Sequence, residues 1–211
     1  MSPGTDRLTL EQAKALDTDG YLILGAMIPP EDLPALREIF EREAAKKPQG
    51  GTRHTDFSGE PRIRELALHS KVMAAARHIL GDGFKAVVPH GRDPASGYGQ
   101  QGLHADAPPR TGSYLIVTAI WMLDDFTTSN GPTRLVPGTH VLPGPVPKSY
   151  ADPASHHPKE IFAIAPAGSV LVFNGHLWHS GSRNNSAGPR RALQGIYHRP
   201  EFFYQADHLG A

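Results

Sequence analysis

The sequence predicts a mainly β protein whose strands close into a sandwich or barrel, with helices flanking it on the N-terminal side. Two observations carry this. Helix signals (caps, early acids, late bases) concentrate before about residue 82. From residue 84 onward, short apolar runs rich in β-branched and aromatic residues alternate with Gly- and Pro-rich turns. The length of 211 residues suits one domain over 1–211, with a helical part to about residue 82 and a strand-rich core over about 83–200.

Thr9 can cap a helix that begins at Leu10, with Gln12 completing a capping box and Gly20 ending it. "GYLILGAMI" follows as a short apolar strand. "PPEDLPALREIFEREAAKK" has prolines and acids at its start and lysines at its end, which suit the two poles of a helix. Residues 47–60 are polar and Gly-rich, hence a loop. "PRIRELALHSKVMAAARHIL" is a further helix, stopped by Gly81.

The strand-rich part opens with "FKAVVPH", followed by the loop "GRDPASGYGQQ". "SYLIVTAIWMLDDF" is a buried strand, because its apolar run lacks helical periodicity and is bounded by turn residues. "SNGPTRLVPGTH" holds an Asn-Gly turn and a short strand. Residues 141–159 carry five prolines and read as a long loop of the kind that forms lids. "GSVLVFNGHLWHSG" and "RRALQGIYHRP" are two more strands, joined by the polar turn "SRNNSAGP".

Composition removes several functional classes. Hydrophobic residues make up 39% and charged residues 20%, so a core can form. Lys+Arg and Asp+Glu are both 21, which gives no electrostatic basis for a nucleic-acid or membrane partner. No apolar run is long enough to span a bilayer. "MSPGTDRLTLEQ" has neither a basic nor an apolar leader region, and a cytoplasmic location is expected. The absence of cysteine excludes disulfides, thiolate catalysis and sulfur-built metal sites. Any metal must be held by nitrogen and oxygen, and twelve histidines are available.

The stretch "GLHADAPPR" places His104 and Asp106 two residues apart. On an extended segment both side chains project to one face, close enough to share an ion. A second histidine would complete a two-His, one-carboxylate face with open positions, the arrangement of non-haem Fe(II) oxygen chemistry. Downstream, "NGHLWHSGSRNNSAGPRRAL" offers His176 and His179 and then Arg190 and Arg191. An arginine fork suits the distal carboxylate of a 2-oxoglutarate cosubstrate.

His104-x-Asp106, Asn130-Gly131-Pro132, Pro137-Gly138-Thr139-His140, His179-Ser-Gly, Asn184 or Asn185, Ser186 and Arg190 together resemble the phytanoyl-CoA dioxygenase family over about residues 84–199. The resemblance implies a double-stranded β-helix (jelly-roll, cupin-like) core. It also implies Fe(II), 2-oxoglutarate and O2 as cofactor and cosubstrates. By that resemblance His104, Asp106 and His179 are the metal ligands, Arg190 anchors 2-oxoglutarate, and Trp121 flanks the cosubstrate. The implied reaction decarboxylates 2-oxoglutarate to succinate and oxidises an aliphatic C–H to an alcohol, a ring closure or a double bond. Asp106, present where related halogenases carry a small residue, argues against halogenation.

His90 and Arg92, with Asp93, are expected to line a polar pocket for a small-molecule substrate. A sugar- or aminoglycoside-type natural product is the expected scaffold, with a free amino acid or an acyl group as the alternative. The neutral chain shows no basic cluster for a CoA thioester. Residues 47–60, 91–102 and 141–159 are expected as lids. His176 is expected on the surface or just behind the ligands, His140 in a structural or pocket-rim role, and Arg191 as a solvated or structural charge. Two rival classes are zinc hydrolysis, which uses the same ligand types, and a cupin-like binding protein without activity.

Overall fold

The computed structural model describes residues 7–46, 50–109 and 112–202, together with the backbone of 208–209. Four helices surround the strands: α1 (Leu10–Thr18), α2 (Leu33–Ala44), α3 (Pro61–Ala67) and α4 (Ser70–Leu80). Thr9 caps α1 with the expected capping box to Gln12. α2 buries Leu33, Leu36, Ile39, Phe40 and Ala44, the spacing of one helical stripe. The expected helix over 61–80 is two helices. Leu68 closes α3, and His69 opens α4 by accepting from Lys71 N–H at 3.2 Å.

Eleven strands are described: β1 (Tyr21–Leu24), β2 (Thr52–Asp56), β3 (Lys85–Val87), β4 (His90–Pro94), β5 (Ile116–Met122), β6 (Thr133–Leu135), β7 (Ile161–Phe162), β8 (Val170–Asn174), β9 (His179–Gly181), β10 (Ala192–His198) and β11 (His208–Leu209). The large antiparallel sheet runs β1-β8-β5-β10. β10 then pairs with β4 through Ala192–Gln194 and with β3 through Tyr197–His198. β2 lies outside β4, and β11 outside β3. The second sheet is β7-β6-β9. These mostly antiparallel strands in two sheets carry the expected jelly-roll core. Two expected loops hold strands, because β2 and β4 pair with each other across 52–56 and 90–94. The expected strand over 168–181 is also split: β8 belongs to the large sheet and β9 to the small one.

β5 is buried along its whole length because both of its faces are covered. Val117, Ala119 and Trp121 pack with Phe40, Val72 and Leu80 of the helices. Ile120 and Met122 pack with Leu135, Leu171 and Phe173 between the two sheets. This side-to-side alternation decides which residues reach the site below. Among the described residues no helix is long and apolar enough to cross a membrane.

Candidate metal and cosubstrate site

His104 and Asp106 lie outside the named strands, on a segment stitched to the β8–β9 connection. His104 N–H donates to His179 O at 3.0 Å, and His179 N–H returns to His104 O at 2.9 Å. Asp106 N–H donates to Gly175 O at 2.7 Å. This pairing brings one ligand atom each of His104, Asp106 and His179 within 4.8 Å of one another. His179 Nε2 stands 3.3 Å from Asp106 Oδ1.

Backbone carbonyls set the protonation of both rings. His104 Nδ1–H donates to Gly102 O at 2.9 Å, and His179 Nδ1–H to Leu177 O at 2.8 Å. A carbonyl can only accept, so each Nδ1 carries the proton and each Nε2 keeps its lone pair for a metal. Thr118 Oγ1 donates to Asp106 Oδ2 at 2.8 Å, which leaves Oδ1 facing His179. Burial lowers His104, as does the neighbouring His179, and keeps the ring neutral. Burial raises Asp106, but His179 and the Thr118 hydroxyl outweigh it and hold the carboxyl below its usual range. Burial opposes charge on His179, yet Asp106 prevails and raises it.

A cavity of about 90 Å³ opens from the three ligands. Its wall includes Arg92, Gln101, Ile120, Thr133, Ser180, Arg190 and Gln194. Arg190 is only 2% exposed, and its Cζ lies 4.7 Å from the centre of the Phe126 ring. Its Nε has no hydrogen-bond partner, and among the described residues no carboxylate is within ion-pair distance of its guanidinium. Burial, with the like charge of Arg92, pushes Arg190 down to about 9. An anion in the cavity would remove that cost. The backbone here is fixed: Arg190 N–H donates to Asp93 Oδ1 at 2.8 Å.

The structure thus brings His104, Asp106, His179, Arg190 and Arg92 to one cavity. Arg92 donates to Gln101 Oε1 at 3.0 Å. Arg191 faces away, donating to Asp124 and Glu41 at 2.8–3.1 Å. Trp121 does not flank the cavity. It is fully buried on the helix side of β5, beside His69, and Ile120 on the other face lines the wall. His90 sits opposite Gln194 on the neighbouring strand and is not in the wall. Asp93 is committed to Arg53 and Arg190. The polar pocket expected from His90, Arg92 and Asp93 is therefore not assembled. Of the expected lids, the first contains β2 (Thr52–Asp56), whereas Gln101 of the second and Leu142, Gly144, Pro145 and Val146 of the third line cavities.

Several contributing residues were not singled out from sequence. Thr118 is one hydroxyl in an otherwise apolar strand, which is itself a signal. Arg134 is buried and donates to Ser180 Oγ at 2.8 Å and Gln101 O at 2.9 Å, tying two wall residues together. The turn motifs have local work. Thr139 Oγ1 accepts from Trp178 N–H at 2.9 Å, and His140 lies buried against Gly20. Gly131 adopts φ +82°, and a side chain there would press on Ser182 O. His176 is buried rather than on the surface.

The family model for phytanoyl-CoA dioxygenase matches residues 16–192. The chain belongs to the phytanoyl-CoA dioxygenase family. Its similarity to individual members is partial. It is 34% identical to dioxygenase trt7 of Aspergillus terreus over 83 residues, covering 39% of this chain and 27% of that protein. It is 24% identical to the peroxisomal phytanoyl-CoA dioxygenase of Rattus norvegicus, covering 90% of this chain and 68% of that one. Against several fungal and mycobacterial relatives, the chain spans 27% to 40% of their length. The fold agrees with the family assignment. The crystal structure of HygX from Streptomyces hygroscopicus with nickel and 2-oxoglutarate superimposes with a TM-score of 0.80 at 21% identity, covering 93% of this chain and 89% of that one. The apoform of EctD from S. alaskensis gives a TM-score of 0.71 at 21% identity, covering 93% and 79%.

Proposed function

We propose that the chain is an Fe(II)- and 2-oxoglutarate-dependent dioxygenase that oxidises an aliphatic C–H of a small molecule. One observation carries the reading: a buried Arg190 with no ion-pair partner among the described residues lines the same cavity as the convergent His104, Asp106 and His179. Two imidazoles whose Nδ1–H groups are held by backbone carbonyls, and an ionised carboxylate, match the facial set of non-haem iron. The arginine fork matches a carboxylate. When bound, Fe(II) would supply the oxygen chemistry: substrate C–H, one O2 and one 2-oxoglutarate become hydroxylated product, succinate and CO2, one oxygen atom entering each of the first two products.

The chain's own groups prepare that event. His104, Asp106 and His179 would hold the metal, and the carbonyls of Gly102 and Leu177 fix the ring orientations. Thr118 turns the Asp106 carboxylate. Arg190 holds the distal carboxylate of 2-oxoglutarate, with Thr133 and Ser180 beside it. Arg92, held by Gln101, adds a second cation to the same cavity. Ile120 and Phe173 exclude water from the wall.

Natural-product tailoring is the biological setting we favour. Among structures of this fold, HygX has been solved with hygromycin B and SnoN belongs to nogalamycin biosynthesis. Zinc hydrolysis is less well supported, because among the described residues of the cavity no acid or histidine outside the triad could serve as the base. The test is reconstitution. Iron-loaded protein is expected to release succinate from 2-oxoglutarate in air, and His104→Ala is not. Absence of succinate from fully iron-loaded protein would overturn the reading.

A further inference from the structure

We propose that Asp93, held in place by Arg53, is a positioning residue for Arg190: its carboxylate fixes the backbone from which the guanidinium enters the cavity. That the guanidinium meets 2-oxoglutarate rests on the dioxygenase reading; the contacts with Asp93 do not.

Arg190 needs such support because it lies outside the sheet. The pairing of β4 with β10 ends at Arg92 opposite Ala192, and Arg190 follows Pro189 at the close of the polar turn between β9 and β10. A turn residue has no ladder carbonyl to hold its N–H. Side-chain carboxylates take over here. Asp93 Oδ1 accepts from Arg190 N–H at 2.8 Å, and Asp124 Oδ2 accepts from Arg191 N–H at 2.8 Å. The end of β4 also holds the turn itself, since Asn184 Nδ2 donates to Pro94 O at 2.8 Å and to Gly188 O at 3.1 Å.

Asp93 can do this because its own orientation is fixed from the other side. It is buried and stands directly opposite Arg53 in the pairing of β2 with β4. Arg53 Nη2 and Nε donate to Asp93 Oδ2 at 2.6 and 3.1 Å, which leaves Oδ1 for the Arg190 N–H. Arg53 is gripped in turn by Glu41 of α2 at 2.6 and 3.0 Å, and it lies over the Phe40 ring. A buried carboxylate whose two oxygens serve separate partners has little freedom to rotate.

The arrangement also keeps the guanidinium fork free. Burial and Arg92 disfavour charge on Arg190, while Asp93 and then Asp124 favour it. Among the described residues neither acid forms an ion pair with that guanidinium; Asp93 pairs with Arg53, and Asp124 with Arg37 and Arg191. Asp93 spends its oxygens on a backbone N–H and on Arg53. It therefore supports a cation without competing for the anion which that cation binds.

The experiment is calorimetric titration of nickel, and then of 2-oxoglutarate or oxalate into nickel-loaded protein. Oxalate can chelate a metal as the keto-acid end of 2-oxoglutarate does, but it has no distal carboxylate to meet Arg190. Asp93→Ala alone would strand Arg53 and risks the fold. Asp93→Leu is therefore combined with Arg53→Met, because a buried ion pair removed as a unit is tolerated better than the loss of one member. This double variant is expected to bind 2-oxoglutarate about tenfold or more weakly, the scale of outer partners that orient a ligating group. Its affinities for nickel and oxalate should stay within about twofold of wild type. Asp93→Asn with Arg53→Met keeps an acceptor for the Arg190 N–H and should regain most of the loss. Arg191→Ala breaks the same chain of charges at Glu41 and should leave 2-oxoglutarate binding within about twofold. The proposal is overturned if the Leu variant binds 2-oxoglutarate unchanged, if nickel or oxalate weakens in step, or if the Asn variant regains nothing. Nickel-loaded wild type that binds oxalate but not 2-oxoglutarate overturns the dioxygenase reading, and with it the anchor that Asp93 positions.

Discussion

Replacing Arg190 with methionine separates the two jobs a buried arginine can have. If it is structural, its loss destabilises the empty protein. If it is an anion anchor, its loss shows only when the anion is present. In the ligand-free protein the guanidinium is 2% exposed, carries no ion pair among the described residues, and is disfavoured by burial and by Arg92. Methionine keeps most of the stem, forfeits roughly 1 kcal/mol of contact with Phe126, and removes a buried unpaired charge. The ligand-free variant is therefore expected to unfold within about 1 kcal/mol of wild type, or to be more stable.

With 2-oxoglutarate the outcome reverses. Removing one partner of a buried, hydrogen-bonded charge pair costs about 2–5 kcal/mol, so affinity should fall about 30-fold or more. At a concentration of about 100 times the wild-type Kd, wild type gains about 2.7 kcal/mol, and a variant weakened 30-fold gains under about 1 kcal/mol. For a chain of this size those gains are shifts in Tm of about 5–10 °C and under about 4 °C. Thermal melts of nickel-loaded protein with and without 2-oxoglutarate make the comparison. A full ligand-induced shift in Arg190→Met, or a ligand-free variant several kcal/mol less stable, would refute the anchor assignment.

Three further substitutions test neighbouring parts of the site. Arg191→Ala breaks the bonds to Asp124 and Glu41; chemical denaturation should show a loss of about 1–3 kcal/mol while 2-oxoglutarate affinity stays within about twofold. Thr118→Val removes the 2.8 Å bond to Asp106 at nearly constant volume; calorimetric metal titration should show affinity lowered about 10- to 100-fold. Gly175→Ala would drive a methyl into Ile116 and to 3.3 Å from Asp106 Cβ. It is expected to cost about 1–3 kcal/mol in thermal melts and to weaken metal binding, and unchanged metal affinity would count against the packing argument.

Much of this was legible in the residues. The His-x-Asp spacing placed His104 and Asp106 together at the candidate site because the backbone around them is extended, although it is held by one bridge rather than by a strand. Arg190 and Arg191, just before β10, go to different surroundings, the cavity and Asp124, as side-chain alternation leads one to expect. Trp121, set beside the cosubstrate by resemblance alone, lies instead on the helix side of β5; a strand covered on both faces gives its sequence little polar contrast from which to take the direction. The polar segment "TRHTD" reads as loop because β2 is an outer strand whose partner lies some forty residues on. His69 looks like an interior helix residue, yet it lies just past the end of α3 and caps α4. Leu103, Val146 and Trp178 pack together although Val146 belongs to a long Pro-rich loop, and no local pattern records such a meeting.

The most direct test of the central claim is spectroscopic and anaerobic. Protein loaded with Fe(II) is mixed with 2-oxoglutarate, and the visible metal-to-ligand charge-transfer band is recorded for wild type and His179→Ala. The account predicts a band in wild type that is lost in His179→Ala. Fully iron-loaded wild-type protein that develops no band would contradict it.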